Sequence, residues 1–163
     1  MIQPAHSARI TVPSPVGDLT LSERDGAIDA LAWGNGCHGT STPLLNAGAN
    51  WLSGYFAGKF TSPVDLPMAP AGSEFQRRVW QVMIDIPPGE TVTYGDVARQ
   101  LGSAPRAVGS ACGANPIPIL IPCHRVVGSN GGLGGYSGAG GLTTKRTLLD
   151  LETLTGAPLS RAV

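Results

Sequence analysis

The sequence predicts an α+β protein: a small unit of strands and one helix over residues 1–72, then a mostly helical unit over 73–163 that holds a helix-turn-helix. Three observations carry this. Polar and apolar residues alternate along three short N-terminal segments, as they do in half-buried strands. After residue 73 apolar residues recur at helical spacing, with capping residues in front of them. Between the two lies Leu66-Pro67-Met68-Ala69-Pro70-Ala71-Gly72, where proline and glycine cluster without a period, the best linker candidate.

The first strand is Arg9-Ile10-Thr11-Val12, followed by turn chemistry at Ser14-Pro15-Val16-Gly17. Asp18 to Glu23 alternates again, and Asp25-Gly26 is a hairpin signal leading into a third strand over Ala27 to Trp33. A loop around Gly34 to Gly39 precedes a short helix with Leu44, Leu45, Trp51, Leu52, Tyr55 and Phe56 on its apolar side. Ser73 caps the next helix, with Gln76 at the capping-box position and Phe75, Val79, Val82, Met83 and Ile86 at helical spacing, until Pro87-Pro88-Gly89 stops it.

Thr93 and Asp96 form the cap of a further helix that Gly102 closes. Ser103 is read as the cap of a second, from Ala104 to about Gly113, ending at Asn115-Pro116. Two short helices across a glycine turn make a helix-turn-helix. The second is rich in small residues: Ala107, Gly109, Ser110, Ala111, Gly113 and Ala114. They suit close approach to a nucleic acid, or tight packing on the protein's own core. Ile117 to Pro122 reads as buried and extended. Gly128 to Gly141 holds eight glycines, a loop whose backbone can approach a ligand or simply lie on the surface. A last helix runs from about Leu142 to Leu154.

The whole chain supports a real core: 163 residues, 42% hydrophobic, with a mean hydropathy of +0.08, values that exclude a disordered chain. Only 13% of residues are charged, and 23 glycines and 14 prolines imply many turns and irregular stretches. Net charge is zero, so nothing global draws the chain to nucleic acid or anionic lipid. Residues 1–72 carry three bases and five acids, residues 73–163 eight bases and six acids. The second part is therefore the one suited to an anionic partner, with chance scatter the equal alternative. Three sparse cysteines, Cys37, Cys112 and Cys123, argue against a disulfide framework and for a reducing compartment. No signal peptide and no bilayer-spanning run is evident, so a cytoplasmic, membrane-free protein is expected.

The sharpest local feature is Pro122-Cys123-His124-Arg125-Val126. A thiolate is a strong nucleophile, and neighbouring His and Arg favour it. In an extended segment adjacent side chains diverge, so Cys123 and His124 would need a bridging water or a local turn to cooperate. The alternative is a cysteine that is only a small buried hydrophobe.

Ile119-Leu120-Ile121-Pro122-Cys123-His124-Arg125-Val126-Val127 resembles the active-site signature of the O6-alkylguanine-DNA alkyltransferases, the methylated-DNA–protein-cysteine methyltransferases. Phe75-Gln76-x-x-Val79-Trp80, Ile86-Pro87-x-Gly89-Glu90-Thr91-x-x-Tyr94-Gly95, Arg106-Ala107-Val108-Gly109, Asn115-Pro116-Ile117-Pro118, Gly135-Tyr136-Ser137-Gly138 and Lys145-x-x-Leu148-Leu149-x-x-Glu152 follow in the family's order and cover residues 73–152. Residues 1–72 resemble the family's ribonuclease-H-like N-terminal domain more loosely, through Ser14-Pro15-Val16-Gly17-x-Leu19-Thr20-Leu21 and Tyr55-Phe56-x-Gly58.

The resemblance implies direct, cofactor-free repair. A monomer binds duplex DNA from the minor groove and flips out an alkylated base, O6-alkylguanine and also O4-alkylthymine. It then moves the alkyl group irreversibly to Cys123, once per molecule. His124 is implied as the base acting through a water, Glu152 as its orienting carboxylate, and Tyr136 as a donor to the leaving guanine. Asn115 is the implied hinge tying the helix-turn-helix to the active-site segment. Arg106 would fill the gap left by the flipped base, Tyr94 would help rotate its phosphate, and Ala107 and Ser110 would lie along the DNA. Gly134 and Ser137 would contact the O6 side, and Pro118 and Val126 would wall the pocket.

Two departures stand out. The stretch Ser137-Gly138-Ala139-Gly140-Gly141-Leu142-Thr143-Thr144 is about two residues longer than the commonest family form, and no metal-ligand set is evident, Cys37-His38 with His6 being incomplete. The competing readings are a non-catalytic binder of alkylated DNA, which would lack Cys123, a regulator fused to a metal-dependent sensor, which would need a cysteine-rich N-terminal module, and a hydrolytic thiol enzyme.

Overall fold

Alternation in the N-terminal segments becomes a three-stranded antiparallel sheet in the computed structural model, which describes residues 8–34, 39–60 and 64–154. The strands are β1 (Ala8–Val12), β2 (Leu19–Arg24) and β3 (Ala27–Trp33), paired in that order. Asp25 and Gly26 both take positive φ, 53° and 81°, the backbone a two-residue hairpin needs. A bulge at Ser22/Glu23 shifts the β2–β3 register. Leu19, Leu21, Ile28 and Leu31 point inward, against α1 (Pro43–Phe56), whose buried face is Leu45, Gly48, Leu52 and Tyr55. A Cβ at Gly48 would come within 2.8 Å of Leu21, so the helix rests directly on the sheet there.

The expected linker does not hang free. Ile28 donates to Pro67 O at 2.9 Å, and Ala69 donates to Ile28 O at 2.8 Å, so this segment runs along β3. Then α2 (Glu74–Ile84) starts at a complete capping box, Ser73 with Gln76, and buries Val79, Trp80 and Met83. The two-residue β4 (Val92–Thr93) feeds α3 (Tyr94–Leu101), which has its own capping box from Thr93 and Asp96. Gly102 ends it in the left-handed region at φ 65°.

The next helix, α4 (Pro105–Gly113), corrects the expectation for Ser103. The cap is Ala104, and it makes no side-chain hydrogen bond. Pro105 fixes the first helical φ and has no N–H to satisfy, while Ser103 is used by the previous helix: its N–H donates to Ala98 O at 2.8 Å across the Gly102 turn.

Ile117 to Pro122 is buried as expected but is not extended. Ile121 N–H reaches back to Ile117 O at 2.9 Å, and Ile119 sits at φ 74°, a strained setting for a β-branched residue. A 3₁₀ turn over Cys123–Arg125 follows, then β5 (Val126–Val127), which pairs parallel with β4. A second short 3₁₀ turn, Ser129–Gly131, opens the glycine loop, and α5 (Leu142–Leu154) closes the described chain. One apolar core runs from Leu19 and Ile28 through Trp80 and Val97 to Leu120 and Leu148, so both parts of the chain pack on the same interior.

Candidate functional site

Cys123 stands at the start of the 3₁₀ turn, held by its N–H to Ile121 O at 2.8 Å. Of the two ways the sequence left for Cys123 and His124 to cooperate, a bridging water or a local turn, the chain takes the turn, which puts Cys123, His124 and Arg125 on one tight arc, all three buried. Asn115 spans the folded-back segment before it. Its Nδ2 donates to Ile121 O at 2.8 Å, and its Oδ1 accepts from Ile117 N–H at 2.9 Å. The end of α4 is thereby bound to the backbone that carries Cys123.

His124 is fully buried, and its Nε2 lies 2.7 Å from Glu152 Oε2 on α5. Glu152 is itself fully buried and accepts from several directions. Arg125 donates Nε to Oε1 and Nη2 to Oε2, both at 2.9 Å, and Gly89 N–H donates to Oε1 at 3.2 Å. Tyr55 Oη donates to Oε2 at 2.5 Å. Burial alone would raise this carboxyl, but His124 and Arg125 hold it far below the usual carboxylate range. Because Glu152 is an ionised acceptor, His124 carries its proton on Nε2. Burial, opposed by Glu152, keeps the imidazole below its ordinary value, so it is neutral at pH 7. Nδ1 is buried with no hydrogen-bond partner, a lone pair ready for a proton.

Burial pushes the Cys123 thiol up, while the Asn115 hydrogen bond and the Lys145 charge pull the other way. The resting group is therefore a thiol that needs a base. The cation that favours the thiolate is Lys145, not the adjacent Arg125. Arg125 spends its guanidinium on Glu152 and on Ile86 O, 2.6 Å from Nη1.

A cavity of about 600 Å3 opens over Cys123, within the ordinary range for small-molecule sites. Tyr94, Arg106 and Gly109 line the side formed by the helix-turn-helix, and Tyr136 and Ser137 the side formed by the glycine loop. Tyr136 is locked edge-on against Trp33 of β3 with ring centroids 6.1 Å apart. Its hydroxyl is buried without a partner, and burial raises it so far that it remains a donor. Arg106 is exposed at the rim. Ala107 is half-buried and Ser110 exposed on α4, outside the lining. Pro118 and Val126 are buried and do not line the cavity, and neither does the exposed Gly134, whose Cβ, if it had one, would strike the Tyr94 ring.

The small residues of α4 divide by face. Ala111 and Cys112 are buried toward the core, and Ala111 O accepts from Trp80 Nε1 at 2.9 Å. Gly109 and Gly113 have nothing within 4 Å of an added Cβ. Internal packing therefore does not explain those two glycines, whereas it does account for Ala111.

Sequence reasoning gave no role to Tyr55, Gly89 or Lys145. Lys145 Nζ donates to Leu133 O at 2.5 Å, Val126 O at 2.7 Å and Gly135 O at 3.0 Å, pinning the glycine loop to β5. Its contact with Tyr94 Oη is 3.4 Å. Burial lowers this ammonium, opposed by Cys123 and Cys112, and the three carbonyls satisfy its donors. The one available signal was its place in the Lys145-x-x-Leu148 motif. Among the described residues no cluster of three or more His, Cys, Asp or Glu could hold a metal; the Cys37-His38-His6 set lies outside them. No described helix is long and apolar enough to cross a membrane.

Residues 74–154 match the family model described as 6-O-methylguanine DNA methyltransferase, DNA binding domain. The methylated-DNA–protein-cysteine methyltransferase of Mycolicibacterium paratuberculosis is 48% identical over 151 residues, covering 87% of this chain and 90% of that protein. That of Mycobacterium leprae is 52% identical over 152 residues, with the same coverage. The crystal structure of Mycobacterium tuberculosis OGT in complex with DNA aligns with a TM-score of 0.77 at 42% identity, over 88% of this chain and 91% of that one.

Proposed function

From its membership of the O6-methylguanine-DNA methyltransferase family, to which this chain belongs, we infer how its site performs direct repair of alkylated DNA. The protein moves an alkyl group from O6-alkylguanine in duplex DNA onto an internal cysteine, assigned here to Cys123. The observation that carries this assignment is the His124 imidazole, held on Nε2 by Glu152 with a buried, unpartnered Nδ1 one residue from Cys123.

A base cannot react inside the stack, so the lesion must leave it, at a cost of a few kcal/mol. The α4 face lies in the minor groove, with Gly109, Ala107 and Ser110 allowing the helix to come close. Arg106 enters the gap in the stack, and Tyr94 meets the displaced phosphate. The flipped guanine fills the cavity over Cys123. There the thiol proton passes to His124 Nδ1, through one water, and Glu152 balances the imidazolium. The sulfur attacks the alkyl carbon; the S–C bond forms as the C–O6 bond breaks, the electron pair stays on guanine, and guanine takes up a proton as the His124 imidazolium gives one up, so both end neutral. Tyr136 O–H donates to the guanine ring and eases its departure. Asn115, hydrogen-bonded to the backbone segment that carries Cys123, couples the position of the DNA-bound helix to the nucleophile. Ser137 and the amides around Gly134 face the O6 side, and Pro118 and Val126 back the pocket from the core.

The thioether has no leaving route, so each monomer acts once and needs no cofactor. O4-alkylthymine presents the same alkyl–oxygen bond and is a second substrate. A free acceptor thiol suits a reducing compartment, the cytoplasm. Residues 73–163 form the DNA-binding and acceptor unit, and residues 1–72 a ribonuclease-H-like unit that buttresses it. The test is stoichiometry: with excess O6-methylguanine duplex, restored guanine should plateau at one per protein. Continued turnover would overturn alkyl acceptance in favour of hydrolysis, and unrepaired lesion held in a tight complex would favour a non-catalytic binder.

A further inference from the structure

Tyr55 lies on α1, far from the active-site segment in sequence, yet its hydroxyl ends inside the catalytic cluster. It donates to Glu152 Oε2 at 2.5 Å and lies 3.5 Å from His124 Nε2. The ring is fixed on all sides. Trp51 stacks on it with centroids 5.5 Å apart, and Phe56 and Phe60 meet it edge-on at 5.1 and 5.2 Å. The residue is 1% exposed, so the hydroxyl has no water to turn to.

Simple satisfaction of Glu152 does not account for this hydroxyl. A carboxylate offers about four acceptor positions. Gly89 N, Arg125 Nε, Arg125 Nη2 and His124 Nε2 already fill four. The Tyr55 bond is a fifth, and it falls on Oε2, the oxygen that holds His124. The aromatic cluster does not call for a hydroxyl either, since phenylalanines occupy its other edges. What the fifth donor changes is the share of the Oε2 charge left to the imidazole.

We propose that Tyr55 is a positioning residue for alkyl transfer: it binds Glu152 on the oxygen that His124 uses and limits how strongly that carboxylate draws a proton onto the imidazole. The N-terminal region thus reaches the chemistry itself, in addition to its packing role. An over-basic His124 would sit as imidazolium at working pH and could not accept the Cys123 proton. Tyr55 tempers the carboxylate so that Nδ1 stays free. The charged and titratable groups that bear on this balance are Glu152 and Lys145 from α5, Arg125 and Cys123 from the 3₁₀ turn, and Tyr136 from the glycine loop.

The proposal rests on the alkyl-transfer reading, and the test separates the two. Single-turnover methyl transfer is measured across pH at saturating O6-methylguanine duplex. Tyr55→Phe removes only the hydroxyl oxygen. Its acid limb should move to higher pH by roughly half a unit to one unit, as His124 becomes more basic, with the high-pH plateau within about twofold of the parent. Site-specific 3-fluorotyrosine at position 55, a stronger donor in nearly the same volume, should move the limb the other way. An acid limb unmoved in both, or a rate lowered equally at every pH, would reduce Tyr55 to packing and overturn the proposal. If Tyr55→Phe fails to fold, the fluorotyrosine protein decides alone by the same criterion. Absence of transfer by the parent protein at every pH would overturn the alkyl-transfer reading and this proposal together.

Discussion

Behind Cys123 and in front of it the protein is built in opposite ways. Behind it, Glu152, His124 and Arg125 are buried and joined by donors from α1, the Gly89 turn and the 3₁₀ turn. In front of it, α4 presents Arg106 and Ser110 to solvent, and Gly109 and Gly113 face open space. The rear network has almost no freedom, because removing one partner leaves a buried charge exposed to a low-dielectric surround. The front face is open: its side chains are exposed, and an added Cβ at either glycine would meet nothing within 4 Å. Under the proposed mechanism this contrast means that proton-transfer geometry is fixed before the substrate binds, while the recognition face is completed by the substrate.

Mutations should separate the two halves. Cys123→Ser should have the largest effect, abolishing transfer while lesion-duplex affinity, measured by fluorescence anisotropy, stays within about twofold. Glu152→Gln should come next. Single-turnover rates should fall by about 10²-fold or more, and chemical denaturation at pH 7 should show a loss of about 3–5 kcal/mol from the broken buried pair. The sign with pH is fixed. Glu152 is held below its unfolded value of about 4.3, so its stabilisation is full above that value and fades as pH falls toward the folded one. The stability gap between parent and variant should therefore narrow below about pH 4.

Arg106→Ala should lower duplex repair by about 10-fold, an energy of about 1.4 kcal/mol, with an unchanged thermal midpoint in calorimetry. Reaction with free O6-benzylguanine should be spared, and equal losses on both substrates would remove the flipping role. The smallest and sharpest case is Gly109→Ala. With open space around the position, the folded protein should gain about 0.5–1 kcal/mol from better helix propensity. Duplex affinity should nevertheless weaken a few-fold. A loss of stability instead would mean that the glycine serves the protein's own packing.

The same contrast explains what could be read from the chain. Both capping boxes, the Asp25-Gly26 hairpin and the Gly102 stop were legible, because each is decided by side chains within four residues of the backbone they serve. Ser103 misled for a local reason too: Pro105 starts the helix one residue later than the cap pattern suggests. The 3₁₀ turn at Cys123 was not legible, since it follows from Ile119 adopting a backbone its side chain disfavours, with Asn115 bonded to the segment. Cys123 and His124 stood out locally as a nucleophile beside a base, with a merely buried cysteine as the alternative, but Glu152 was reached only through motif resemblance, because no periodicity brings residues 123 and 152 together. Tyr55 and Lys145 were missed as active-site partners for the same reason. Periodicity marked one as a core aromatic, composition marked the other as a charge, and only the fold brings Tyr55 to Glu152 and Lys145 to the carbonyls of the glycine loop.

The most direct measurement is peptide mass spectrometry of the protein after reaction with a duplex carrying one O6-methylguanine. The expected result is a gain of one methylene, confined to the peptide that contains Cys123 and saturating at one per chain. A methyl group on Cys112 or Cys37, or demethylated DNA with no adduct on the protein, would contradict the assignment of Cys123 as the acceptor that the buried network serves.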